Sequence, residues 1–178
     1  NDNETLEFES NDLSPGYFSL NFDFPFYGEQ YSEILINPNG WVGFGDDNTE
    51  WYNTGLPSVD APLNAIMPFW DDLNPNNSAN SSNMSGDVKY QINDNNVIVW
   101  YDNVQHWIGS GETDGTYDFQ VVLWDTGDID FNYRSMIGDI NSATIGMQDA
   151  TGTNAMVIAV NDDLVHSEFS IHIKPRPA

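Results

Sequence analysis

From Thr116 to Arg134 the chain alternates apolar and polar residues with a period of two, and no other feature restricts the possible folds so strongly. Tyr117, Phe119, Val121 and Leu123 would share one face of a strand, with Asp118, Gln120, Val122 and Trp124 on the other. After Asp125-Thr126-Gly127-Asp128, whose residues favour a turn, Ile129, Phe131 and Tyr133 alternate with Asp130, Asn132 and Arg134. This predicts an antiparallel hairpin with one buried face. Comparable segments recur at 17–22, 31–36, 41–44, 65–69, 87–92, 97–101, 143–147, 155–160 and 169–173. Turn chemistry separates them, as in Asn37-Pro38-Asn39-Gly40, Asn93-Asp94-Asn95-Asn96 and Asp149-Ala150-Thr151-Gly152. No long window keeps a helical apolar spacing. About eleven short strands predict an all-β chain, a two-sheet antiparallel β-sandwich of jelly-roll-like type, with a closed barrel as the second choice. Val97-Ile98-Val99-Trp100-Tyr101 is apolar throughout and predicts a mid-sheet strand covered on both faces.

A chain of 178 residues suits one domain with a sizeable core. We expect a single module over 1–174, with a linker starting at 175–178, where Pro175 and Pro177 interrupt any ladder. Hydrophobic residues make up 39% and aromatics 13%, which outweighs the disorder that a net charge of -24 would otherwise suggest. The basic residues are Lys89, Arg134, Lys174 and Arg176. Such a chain repels phosphates and anionic headgroups, so nucleic acid is excluded as a partner, and without a long apolar run membrane insertion is too. There is no cysteine, which removes disulfides and thiolate chemistry. The polar start at Asn1 reads as a piece of a longer exported protein, secreted and extracellular, with a place on the cell surface compatible. The Asn- and Ser-rich stretch 71–86 reads as an exposed excursion, and the sequons at Asn3, Asn76, Asn80 and Asn83 say only that these positions face solvent.

Catalytic signatures are absent from the sequence. It has no Gly-x-Ser-x-Gly elbow, no His-Glu-x-x-His and no phosphate-binding glycine loop. Ser110 in Gly109-Ser110-Gly111, beside His106 and Asp114, reads as loop chemistry rather than a nucleophile. With 28 acidic residues, a carboxylate pair at glycosidase spacing carries no diagnostic value. Two clusters of oxygen ligands are candidates for Ca²⁺: Asp46, Asp47, Asn48 and Glu50, and Asp71, Asp72 and Asn74. The alternative for Asp71 and Asp72 is a turn in which carboxylates cap backbone amides. Asp125, Asp128 and Asp130 read as hairpin chemistry. Of the aromatics, Trp41, Trp70, Trp100 and Trp124 fall in or beside strands and are expected in the core. Trp51, Tyr52 and Trp107 lie in polar, turn-rich surroundings and are the candidate ligand-binding residues, suited to stacking on sugar faces.

One set of motifs supports a family resemblance. Phe24-Pro25-Phe26-Tyr27-Gly28, Asn39-Gly40-Trp41-Val42-Gly43-Phe44-Gly45, Pro68-Phe69-Trp70-Asp71-Asp72-Leu73 and Ala143-Thr144-Ile145-Gly146-Met147-Gln148 resemble nidogen-like and plexin-domain-like extracellular modules. The likeness is closer to a bacterial relative in secreted multidomain proteins, often beside peptidase domains. It implies a β-rich module without recognised catalytic residues, in which Pro25 and Gly28 shape a turn, Phe24 and Phe26 anchor it and Gly40 closes a hairpin. The resulting expectation is a non-catalytic accessory module, Ca²⁺-stabilised, mediating adhesion or binding to an extracellular polysaccharide, a matrix protein or a neighbouring domain. A purely structural or folding-assisting domain next to a peptidase is the alternative, and a glycan-active enzyme the second.

Overall fold

The computed structural model describes residues 4–8, 10, 12–75, 86–107 and 115–175. Among these there is no helix and there are thirteen strands: β1 (Glu4–Thr5), β2 (Tyr17–Phe26), β3 (Glu29–Asn37), β4 (Trp41–Gly43), β5 (Ala65–Trp70), β6 (Leu73–Asn74), β7 (Asp87–Ile92), β8 (Asn96–His106), β9 (Gly115–Trp124), β10 (Ile129–Gly138), β11 (Thr144–Gln148), β12 (Ala155–Val160) and β13 (Phe169–Ile173). The strands beyond the expected set are the two-residue β1 and β6. The sequons at Asn3, Asn76, Asn80 and Asn83, the Gly109-Ser110-Gly111 loop with Asp114, and the end of the expected linker lie outside the described residues.

The strands form two antiparallel sheets, the two layers of a β-sandwich. One has seven strands in the order β1-β7-β8-β9-β10-β13, with β6 pairing the far end of β8. The other has six, in the order β12-β11-β5-β4-β3-β2. The connectivity is of the meander type: β7 to β10 are consecutive in one sheet and β2 to β5 in the other, with short polar turns at β2–β3, β3–β4, β7–β8 and β9–β10 and longer connections at β4–β5 and β8–β9. The hairpin between β9 and β10 has the predicted alternation. Tyr117, Phe119, Val121 and Leu123 are fully buried, and Phe119 faces Tyr133 across the ladder.

Between the layers lies one apolar core to which both sheets contribute, including Val99, Tyr101, Phe119 and Phe131 from one and Phe24, Ile36, Ile66 and Phe69 from the other. Two buried tyrosines tie the layers together by hydrogen bonds. The Tyr101 hydroxyl, from β8, donates towards the carbonyls of Asn37 and Trp41 at 2.7 and 3.1 Å. The Tyr133 hydroxyl, from β10, donates to the Pro68 carbonyl at 2.7 Å. Burial pushes the ionisation of both phenols well above the ordinary tyrosine value.

The aromatic motif at residues 24–28 works differently from its expected role. Phe24 and Phe26 do point into the core, where Phe44 lies 5.3 and 5.2 Å from their ring centroids. Pro25, however, is a strand residue on β2, an edge strand, where a missing N–H is tolerated. The turn itself is Tyr27-Gly28, both with positive φ of 47° and 91°, as a two-residue hairpin turn requires.

A second, smaller core lies on the far side of the six-stranded sheet. Trp41, Ala65, Met67 and Trp70 are fully buried there together with Ala61. What covers them is the segment 45–64, a strap held by side chains of the sheet below. Gln148 accepts from Ser58 N–H at 2.9 Å and donates to the Ser58 and Pro62 carbonyls at 2.9 Å each. Asn53 donates to Thr144 at 3.0 Å and Asn161 at 2.7 Å, and the Trp70 indole donates to the Glu50 carbonyl at 3.1 Å. Among the described residues, no such strap covers the outer face of the seven-stranded sheet at Ile98 and Trp100. Val97, Val99 and Tyr101 are buried, whereas Ile98 and Trp100 stand half-buried on the outer face. The expectation that this strand is covered on both sides, and that Trp100 and Trp124 belong to the core, is corrected accordingly.

Candidate binding surfaces

The first acidic cluster is a closed turn at the start of the strap. Asp47 accepts from Ser14 N–H at 2.8 Å, from Asn48 N–H at 3.0 Å and from the Asn37 amide at 3.3 Å. Asn48 accepts from Glu50 N–H at 2.6 Å, and Glu50 from Tyr52 N–H at 3.0 Å. Asp12 joins through the Asn39 amide at 3.2 Å. Burial raises the pKa of the Asp12 carboxyl, the Asn39 hydrogen bond lowers it and the charge of Glu50 raises it, with a net rise. Asp46 is exposed; with Asp47, Asn48, Tyr17 and Leu63 it lines a shallow hollow of about 370 Å³.

The second cluster has a different chemistry. Asp71 is buried, and its carboxylate accepts from Asp72 N–H at 3.0 Å and from the Ser142 hydroxyl at 2.5 Å. His106 Nε2 stands 3.3 Å from the same carboxylate, while its Nδ1 is 2.6 Å from the Trp107 carbonyl. Both ring nitrogens therefore face acceptors, so the ring holds two protons. Burial alone would lower its pKa; the hydrogen bond and charge of Asp71, the Trp107 carbonyl and the charge of Asp72 outweigh that and raise it to about 9. The serine donates to the aspartate and not to the histidine, so nothing here activates Ser142 as a nucleophile. Asp72 and Asn74 are also buried, and the Asp72 carbonyl accepts from Trp107 N–H at 2.7 Å. Among the described residues, no three His, Asp or Glu side chains are grouped as metal ligands would be.

The three candidate aromatics do not form one platform. Trp51 and Tyr52 are 44% and 67% exposed on the strap and pack edge to face, with ring centroids 5.8 Å apart at 88°. Trp107 follows β8 on the other layer and is half-buried.

A surface that the sequence reading missed lies on the outer face of the seven-stranded sheet. Trp100 is fixed there by its indole N–H, which donates to Asp118 at 3.0 Å, with Lys89 Nζ 4.9 Å and the Arg134 guanidinium 5.2 Å from its ring centroid. Arg134 also pairs with Asp118 and lies 3.6 Å from Asp102, which holds Lys89 at 2.6 Å. Hollows of about 280 and 190 Å³ flank the indole.

A family model described as NIDO related matches residues 1–175. The chain belongs to the NIDO-related family. No solved structure matches it. NIDO-related domains are a non-catalytic module type and typically extracellular.

In this NIDO-related domain the motifs that carry the resemblance serve the scaffold. Asn39 accepts from Leu73 N–H at 3.0 Å, Asp71 anchors His106 and Ser142, and Thr144 and Gln148 hold the strap. Of the residues that line these hollows, Gln120 and Asn132 were legible as outward-facing from the alternation of their hairpin. Trp100 was concealed by four apolar neighbours, which erase the alternation that would mark its side as the wet one.

Proposed function

We propose that this domain is a non-catalytic accessory module of an exported bacterial protein and that it adheres to an extracellular polymer, a polysaccharide or a matrix protein, through Trp51 and Tyr52. One observation carries this reading: two large aromatic side chains stand in solvent on a strap whose backbone is pinned on either side of them. The Glu50 carbonyl holds the Trp70 indole, and Asn53, directly after the pair, is locked to Thr144 and Asn161. Rigidly held aromatics offer contact area with little conformational entropy left to lose, which is the usual make-up of an interface anchor. The family, a non-catalytic module type, favours binding over turnover.

The test is retention of the isolated domain on insoluble glycans and on collagen. A Trp51→Ala/Tyr52→Ala double variant should lose retention on at least one of these matrices while melting as the parent does, since exposed substitutions of this kind shift stability by about 0.5 kcal/mol or less. Equal retention of the double variant refutes the assignment.

A further inference from the structure

The outer face of the seven-stranded sheet is ordered as a transverse row. Lys89 pairs with Trp100, Trp100 with Gln120, Gln120 with Asn132, and Asn132 with Ser170, so five outward residues stand side by side on β7, β8, β9, β10 and β13. At about 4.8 Å between strands this row spans about 19 Å. Both hollows open onto it: the larger is lined by Gln120, Asn132, Glu168 and Ser170, the smaller by Lys89, Gln91 and Gln120, with Trp100 as their common wall.

Two properties distinguish this surface. The side-chain amides of Gln120 and Asn132 are half-buried yet make no hydrogen bond within the described residues, whereas those of Asn37, Asn53 and Gln148 each make two or more. Each amide presents two donors and an acceptor to whatever occupies the trough. The cations beside Trp100 are already neutralised by Asp87, Asp102 and Asp118, and Glu168 adds a further negative charge.

We infer that this trough is a second binding site, separate from the strap, that takes a neutral saccharide chain laid across the strands. Trp100, with Lys89 and Arg134 over its ring, supplies an apolar rim, and Gln120, Asn132, Ser170 and Glu168 supply partners for hydroxyls. A polyanion is repelled by a chain of net charge -24 whose local cations are paired. A peptide adding as a strand needs a free sheet edge, and the trough lies on a face where the backbone is already laddered.

Affinity electrophoresis of the whole 178-residue chain tests this in gels containing soluble hydroxyethyl cellulose, galactomannan or starch, with alginate as the polyanion. At least one neutral polymer should retard the domain and alginate should not. The Gln120→Ala/Asn132→Ala double variant, which removes no side-chain hydrogen bond among the described residues, should keep its melting temperature and bind about tenfold more weakly, as two lost hydrogen bonds imply. The Trp51→Ala/Tyr52→Ala variant should be retarded like the parent, so the two surfaces succeed or fail independently. Retardation by none of the neutral polymers, retardation by alginate alone, or retardation that the strap variant abolishes and the trough variant keeps would each overturn the inference.

Discussion

Gly40→Ala tests the account of how the two cores are joined. Gly40 sits at the β3–β4 turn with φ of +81°, and a Cβ there would lie 1.9 Å from the Phe69 carbonyl oxygen, 2.9 Å from its carbon and 3.1 Å from Leu73 Cδ1. The turn is laid directly on β5: Phe69 N–H donates to the Gly40 carbonyl at 3.3 Å and Asp71 N–H to the Asn39 carbonyl at 3.2 Å. Real Cβ contacts do not fall below 3.0 Å, so turn and strand must part by about 1 Å, and both hydrogen bonds are lost or badly weakened. Left-handed φ costs a residue with a Cβ about 1–2 kcal/mol. Two buried backbone groups left without partners add about 1–3 kcal/mol each. The sum is on the order of 3–8 kcal/mol, against a total stability of about 5–15 kcal/mol for a domain of this kind. Gly28 provides the internal control, because its φ is +91° but nothing lies within 4 Å of its would-be Cβ. Gly28→Ala should therefore cost only the conformational part, about 1–2 kcal/mol. Urea denaturation followed by tryptophan fluorescence, at constant m, gives both values. Gly40→Ala should be the weaker by at least about 2 kcal/mol or fail to fold at all. If the two variants differ by less than about 1 kcal/mol, the close approach of this turn to β5 is not what makes residue 40 a glycine.

Two further predictions concern buried groups. His106 has its folded-state pKa raised from 6.5 to about 9. Its contribution is therefore complete below pH 6.5 and disappears as the pH rises through 9, on the order of 3 kcal/mol in all. Urea midpoints between pH 6 and 10 should fall for the parent and stay nearly level for His106→Gln; equal slopes would dissolve the argument for a protonated ring paired with Asp71. Tyr101→Phe leaves the Asn37 and Trp41 carbonyls without their shared donor and should cost about 1–3 kcal/mol in the same assay, whereas a loss below about 0.5 kcal/mol would mean that this link between the sheets contributes little.

Local pattern carried most of the fold. All the longer strands fall where alternation and turn residues place them, because a strand's side chains obey a period of two whatever its neighbours do. Sequence was a poorer guide wherever cover decides the environment. What holds Asp47 and Asp71 was not legible, because sequence records their oxygens and not the N–H groups of Ser14, Asn48 and Asp72 or the hydroxyl of Ser142 that turn towards them, some from far along the chain. Trp70 and Trp100 look alike as apolar strand residues, yet one is sealed and the other faces solvent.

The sequence by itself determined an all-β chain, the faces of its hairpins, the turn glycines and an anionic surface, since each follows from local periodicity, backbone sterics or a sum of charges. Tertiary structure alone decided that the strap 45–64 lies over the six-stranded sheet and not over the other. That choice depends on Gln148, Thr144, Asn161 and Trp70 meeting strap atoms as many as 108 residues away, a long-range register that no local pattern encodes. It leaves Trp51 and Tyr52 exposed on the strap and makes the row through Trp100 the outer surface of the opposite sheet.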